Sequence, residues 1–308
     1  MNFKNEDQYF YNINKEPTTP WLPKEFTERT LTKAIKKNID RKRPSIDDVT
    51  LLDGTPLFSW VELNINELCN RRCVFCPRNG EYPNQNLHMD LELADSIASQ
   101  LAKLGFDGTV NISGTGEALL TKHLIDLVKK FGDRDICIEI VTNGDKLTSS
   151  LVKELYCSGL TQLVVSMYDG PEQIEYFNNL FKECGIDEKL YTLRDRWYDE
   201  DKDYGLLYTN RAGALGDDLP DPEKRACYYP YYALYIDWNG DILLCCQDSY
   251  NRTIILGNVN TQPLWDIWTG QKFFEYRKTL KHGKRCKAPC SNCNANGMVF
   301  GANHAESW

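Results

Sequence analysis

The chain has 308 residues, enough for one large domain or a large domain plus a small one, and its 42% hydrophobic and 26% charged residues are ordinary for a soluble globular protein. A net charge of −8 and a pI near 5.2 argue against general attraction to nucleic acid or to an anionic membrane surface, and no apolar run approaches the ~18 residues of a membrane span. The N-terminus, Met1 to Asp7, has no apolar secretory core, so a cytoplasmic location is expected, where twelve cysteines signal metal binding and not a disulfide framework.

Residues 1–57 form a polar extension punctuated by Pro17, Pro20, Pro23, Pro44 and Pro56, with a helix predicted from about Lys24 to Asn38. The basic run Lys33 to Arg43 alternates with Ala34, Ile35 and Ile39 and reads as the solvated face of a short helix; nothing in the extension suggests chemistry. From residue 58 the pattern is regular. Strands are predicted at 58–66, 108–113, 136–141, 163–167 and 190–194, and helices at 89–104, 119–131, 147–157 and 172–184. This alternation means βαβ units around a parallel sheet, too few for a closed eightfold barrel, so a partial, open (β/α)6 barrel over 58–212 is expected, with its chemistry at the C-terminal strand ends. Residues 213–308 change character. A β-hairpin, Ala233 to Trp238 and Asp241 to Cys245, turns at Asn239-Gly240, and an amphipathic helix from about Pro263 to Lys281 precedes a cysteine-bearing loop.

Nine of the twelve cysteines fall into three groups. The first is Cys69-Asn-Arg-Arg-Cys73-Val-Phe-Cys76, directly after the first predicted strand. Three thiolates on one loop can bind three irons of a cubane cluster and leave the fourth open to a small molecule. A zinc knuckle would need a fourth ligand, and the nearest candidate, His88, lies beyond a loop. Downstream, Cys227, Cys245 and the Cys290-x2-Cys293 pair supply four thiolates, a count that serves a four-iron cluster or a zinc ion equally. Cys246 and Cys286 are left over; Cys137, Cys157 and Cys184 lie on predicted apolar faces and read as core.

The C-x3-C-x-(aromatic)-C loop, with Phe75 as the aromatic, resembles the radical S-adenosylmethionine (SAM) superfamily. The resemblance implies that SAM chelates the open iron and is reductively cleaved to a 5′-deoxyadenosyl radical, with a reducing flavodoxin or ferredoxin as electron donor. Ser113-Gly114-Thr115-Gly116-Glu117 resembles the family's Gly-Gly-Glu motif, where small residues admit the SAM amino group and Glu117 fixes the loop or the ligand. Thr142-Asn143-Gly144 looks like a ribose-contacting loop, and Ser166 begins the segment where the family places polar groups near ribose. Arg194 and Arg211 are candidates for the SAM carboxylate or a substrate oxygen.

The later cysteines resemble the shortened auxiliary-cluster ("twitch") form of the SPASM domain, which implies that Cys227, Cys245, Cys290 and Cys293 hold one auxiliary [4Fe–4S] cluster for electron transfer. Among such enzymes the chain resembles the carbohydrate and cyclitol group, which implies a small, sugar-like substrate. Two outcomes fit: dehydrogenation of a carbinol carbon, or its epimerisation with a thiol returning the hydrogen. The spare cysteines tilt the reading to epimerisation, with Cys286, in its polar loop beside Arg285 and Lys284, ahead of Cys246 as donor. Modification of a ribosomally made peptide is the alternative among enzymes, and a zinc-binding interaction module the alternative outside them.

Overall fold

Strand and helix alternate where the sequence switches its apolar period from two to three or four. In the computed structural model, which describes residues 33–197, 209–215 and 225–308, the strands are β1 (Trp60–Leu63), β2 (Thr109–Ile112), β3 (Cys137–Thr142), β4 (Gln162–Met167), β5 (Tyr191–Asp195), β6 (Ala233–Ile236), β7 (Asp241–Leu243) and β8 (Ile255–Asn258). A helix α1 (Lys33–Asp40) precedes them, and α2 (Leu91–Lys103), α3 (Leu124–Gly132), α4 (Ser149–Cys157) and α5 (Glu172–Glu183) connect β1 to β5. Capping sets two of these helices: the Asp90 side chain accepts from the Leu93 N–H, and the Thr148 side chain from the Leu151 N–H.

One eight-stranded sheet runs in the order β8-β7-β6-β1-β2-β3-β4-β5. The six strands from β6 to β5 are parallel, and β7 and β8 continue the sheet antiparallel. The predicted hairpin forms as β6–β7, but β6 is also the sixth parallel strand, in register with β1 (Trp60↔Ala233, Glu62↔Tyr235). On the outer face Val61, Leu63, Val110, Ile112, Ile138 and Ile140 pack against the helices in the main core. The alternate positions include the buried polar residues Glu62, Asn111 and Glu139.

Three expectations change. The helix predicted at 119–131 begins as a short 3-10 turn (Ala118–Leu120) and resumes at Leu124, because Glu117 caps the turn through the Leu119 N–H. The helix predicted from Pro263 breaks into Leu264–Trp268 and α6 (Gln271–Leu280), since Gly270 adopts an extended conformation between them. The first helix runs to Asp40; residues 24–32 of its predicted span lie outside the described residues.

The extension does more than cover the barrel. After α1 and the turn Arg43–Ile46 it crosses the N-terminal end of the parallel strands, where the Ser45 Oγ lies 2.7 Å from the Thr109 Oγ1 and Ile46 packs with Trp60, Tyr232 and Ala233. The C-terminal helix (Ala302–Ser307) pins this segment: His304 Nε2 meets the Ile46 carbonyl at 3.0 Å. Lys36 and Lys37 are exposed as expected, whereas Arg41 and Lys42 turn inward and correct the reading of the basic run as wholly solvated.

Candidate active site

The three-cysteine loop leaves the C-terminal end of β1 and is braced on both sides. Arg71, between Cys69 and Cys73, donates to Asp145 (Nε, 2.7 Å) after β3 and to Asp169 (Nη1, 2.8 Å; Nη2, 2.7 Å) after β4, and its guanidinium lies 5.1 Å from the Tyr168 ring. Asn143 Nδ2 donates to Asn70 Oδ1 at 2.8 Å, and Phe75 stacks on Tyr168 with ring centroids 6.1 Å apart. Burial, reinforced by the neighbouring Cys76 and Cys69 thiols, pushes the Cys73 thiol up to about 12. Three half-buried thiols on one loop, with burial raising those of Cys69 and Cys73, fit a site completed by cationic iron, which would favour thiolate forms.

The motif after β2 serves the protein's own loops. A Cβ on Gly114 would lie 2.3 Å from Asn64 Oδ1, and one on Gly116 1.7 Å from Asn66 Oδ1, so both glycines let the asparagines that follow β1 approach. Glu117 is buried and accepts from the Leu119 N–H (3.0 Å), the Thr142 hydroxyl (2.5 Å) and the Asn143 N–H (2.8 Å), joining the ends of β2 and β3. Glu67 and Arg78, absent from the sequence reading, tie the cysteine loop to Thr115 and to the C-terminal region: Arg78 Nε donates to the Thr115 carbonyl (2.5 Å), and Glu67 accepts from Thr115, Tyr82 and Arg252. A cleft of about 400 Å³ opens above Cys76, between Pro77 and Tyr82 on one side and Ala214 and Tyr250 on the other.

Cys227, Cys245, Cys290 and Cys293 gather beyond β7. Burial raises all four thiols, and each of the other three adds to the rise at Cys245. That convergence fits a four-thiolate iron–sulfur site. Cys286 stands apart and exposed. Cys137 and Cys157 are exposed too, correcting the expectation that they are core, because Cys137 begins β3 at the sheet rim and Cys157 ends α4.

The inner face of the sheet carries a row that sequence reading passed over. Register places Tyr235, Glu62, Asn111 and Glu139 side by side on β6, β1, β2 and β3. Polar residues at every second position of the predicted first strand, 58–66 (Glu62, Asn64, Asn66), were the available signal, since strands covered on both faces are normally apolar throughout. Asn111 Nδ2 donates to Glu139, which also pairs with Arg41; Lys42 Nζ sits 3.7 Å from Glu62 Oε1 and 4.5 Å from the Trp60 ring centroid. Arg194 donates to Ser166 Oγ (2.7 Å) and Asn38 Oδ1 (3.0 Å), so both residues are bound to the protein. Cys246 points into this interior: burial and the Glu62 carboxylate push its thiol up to about 12, and the Tyr229 hydroxyl, Arg211 and Lys42 face it. Burial opposes the charge of Arg211, yet Tyr250, Cys246, Cys76 and Glu62 around it hold its pKa above the usual value. Arg211 is therefore within electrostatic range of both Cys76 of the three-cysteine loop and Glu62 of the inner row.

Residues 63–194 match the Radical SAM superfamily, and residues 227–294 match SPASM, an iron–sulfur cluster-binding domain. The chain is similar to the S-adenosyl-L-methionine-dependent 2-deoxy-scyllo-inosamine dehydrogenase of Niallia circulans, with 31% identity over 77% of this chain and 93% of that protein. It also resembles the GTP 3′,8-cyclase of Peptoclostridium acidaminophilum, 30% identical over 41% of this chain and 40% of that one. Among solved structures, BtrN in complex with AdoMet and 2-DOIA superposes with a TM-score of 0.67 at 28% identity, covering 80% of this chain and 99% of that chain.

Proposed function

The chain belongs to the radical SAM superfamily, and from that premise we propose that it removes a hydrogen atom from a carbinol carbon of a small aminocyclitol or sugar and oxidises that carbon to a ketone. Its cofactors are SAM, a [4Fe–4S] cluster that binds SAM and an auxiliary iron–sulfur cluster. Cys69, Cys73 and Cys76 would hold the first cluster and Cys227, Cys245, Cys290 and Cys293 the second. When bound, these groups supply the 5′-deoxyadenosyl radical and an acceptor for one electron.

The observation that carries the substrate class is the set of unused hydrogen-bonding groups on the inner face. The Tyr235 hydroxyl and the Trp60 indole N–H are buried without a hydrogen-bond partner among the described residues, and between them lies Glu62, 6% exposed, whose carboxylate accepts no hydrogen bond there. Protein interiors satisfy more than about 90% of buried polar groups, so a concentration of idle ones in one place is the complement of a hydroxyl-rich ligand. Oxidation of a carbinol releases one hydrogen atom, one electron and one proton; Glu62 is the buried anion in this row placed to take the proton. Arg211, within electrostatic range of Cys76, is the candidate for the SAM carboxylate over Arg194, whose guanidinium is taken by Ser166 and Asn38. Gly114, Gly116, Glu117, Thr142 and Asn143 act by holding the loops around the nucleotide, and Phe75 by stacking on Tyr168.

The similarity to a cyclitol dehydrogenase over 77% of the chain leaves peptide modification less supported. Among the described residues no helix is long and apolar enough to cross a membrane, and we read the enzyme as cytoplasmic, reduced by a flavodoxin or ferredoxin. The test is anaerobic turnover of cyclitols, aminocyclitols and sugars, including 2-deoxy-scyllo-inosamine. A substrate deuterated at the attacked carbon should pass its deuterium to 5′-deoxyadenosine and yield a ketone. Substrate-independent 5′-deoxyadenosine across the whole panel would refute the assignment. The buried position of Cys246 favours a second reading, epimerisation. In that case the product takes up one hydrogen from heavy water, and Cys246→Ala, not Cys286→Ala, abolishes the uptake.

A further inference from the structure

The segment ahead of the barrel supplies a side chain to the same interior. Residues 33–48 lie outside both matched domains, which cover 63–194 and 227–294, so whatever this segment contributes is an addition to the shared machinery. Its Arg41 is committed to Glu139. Lys42 is not. Its ammonium is 3.7 Å from Glu62 Oε1, beyond hydrogen-bond length, and none of its three N–H donors makes a hydrogen bond among the described residues. The side chain retains 21% exposure although burial lowers the pKa of its ammonium, and the Trp60 ring supports its stem and charge.

We propose that Lys42 is a specificity-determining residue that donates a hydrogen bond to a ring hydroxyl of the substrate, a hydroxyl that can in turn donate to Glu62. This rests on the reading of the substrate as a cyclitol or sugar. The chemistry selects for oxygen at the deep end of the ring: a hydroxyl can lie between an ammonium and a carboxylate as acceptor to one and donor to the other, whereas an amine there would meet the like charge of Lys42. A purely structural lysine, balancing Glu62, would show no preference among ligand hydroxyls.

Two measurements on the anaerobic holoenzyme separate these roles. The first compares kcat/KM for each turned-over compound with its monodeoxy counterparts, in wild type, Lys42→Met and Lys42→Arg. One hydroxyl position should be preferred roughly 10- to 100-fold by wild type, the value of one hydrogen bond to a charged group. Lys42→Met should cut that ratio several-fold, down to the part that Glu62 alone supplies, chiefly through KM, and Lys42→Arg should restore part of it. The second uses an amine-reactive label read by peptide mass spectrometry, with SAM present: cyclitol or aminocyclitol probes should shield Lys42. Unchanged preference at every position in Lys42→Met, or no shielding by any probe, overturns the inference. If compounds are turned over with neither effect, the inference on Lys42 fails alone. If no cyclitol or sugar is turned over or shields Lys42, the substrate reading fails with it.

Discussion

Removing the charge of Glu67 should loosen the joint between the three-cysteine loop and the C-terminal region. Glu67 is 2% exposed and its carboxylate receives five donors: Asn64 Nδ2 (3.1 Å), Thr115 Oγ1 (2.6 Å), Tyr82 OH (2.9 Å), Arg78 Nη2 (3.3 Å) and Arg252 Nη2. In Glu67→Gln an amide N–H must face donors, and buried Arg78 loses its carboxylate. Arg252 keeps Asp237, at 2.5 Å, as its carboxylate and the Tyr82 hydroxyl, at 2.6 Å. Breaking a buried pair by removing one partner costs about 3–5 kcal/mol, because a desolvated charge is left uncompensated. For a chain of this size that corresponds to a fall in Tm of roughly 5–8 °C, measured by circular dichroism or calorimetry. Glu67→Gln combined with Arg252→Met should cost less than the two singles summed, since the double variant strands fewer charges. A loss below about 1 kcal/mol, or strict additivity, would refute the description of Glu67 as the hub of this joint.

Arg71→Met should free the cysteine loop from Asp145 and Asp169; because these groups are partly exposed, the cost to stability is about 1–2 kcal/mol, and the clearer sign is faster loss of iron to a chelator, with Arg71→Lys intermediate because a point charge cannot span two carboxylates. Gly116→Ala should fail to fold or lose iron, since its Cβ would meet Asn66 Oδ1 and the Asn66 backbone oxygen (2.4 Å); near-normal iron content and Tm would contradict the geometry. Cys290→Ser should lower iron in reconstituted protein from about eight to about four per chain while SAM cleavage by the remaining cluster persists. Burial lowers the pKa of His304, so the unfolded state binds the proton more readily; stability from His304 is present above the unfolded value of about 6.5 and is lost as pH falls through the lower folded value. Limited proteolysis across that window should show residues 33–48 opening on acidification, and less so in His304→Gln.

The parallel sheet and both cysteine sites were legible because period and spacing are local signals. Val61, Leu63, Val110 and Ile112 announce their strands, and Cys69, Cys73 and Cys76 lie on one loop. What escaped depends on distant pairing. Lys42 and Arg41 look solvated in a basic run until the fold brings Glu62 and Glu139 over them, some 20 and 98 residues further along. The order that put Cys286 ahead of Cys246 rested on neighbours in the chain; the fold distinguishes them otherwise, Cys246 by burial near Glu62 and Tyr229 and Cys286 by exposure. The glycines of the Gly114–Gly116 motif were readable as a requirement for close approach, but the approaching groups, Asn64 and Asn66, were not.

Because β6 is hydrogen-bonded both to β1 and to β7, the polypeptide that carries Cys245 is a direct continuation of the wall that carries the first cysteine loop. A cut near residue 213 would take a stave out of the barrel and leave β1 with a raw, adhesive flank. The separation between Cys245 and the three-cysteine loop is accordingly spanned by paired strands of one sheet, and swapping the C-terminal portion between relatives would require re-matching that seam strand for strand.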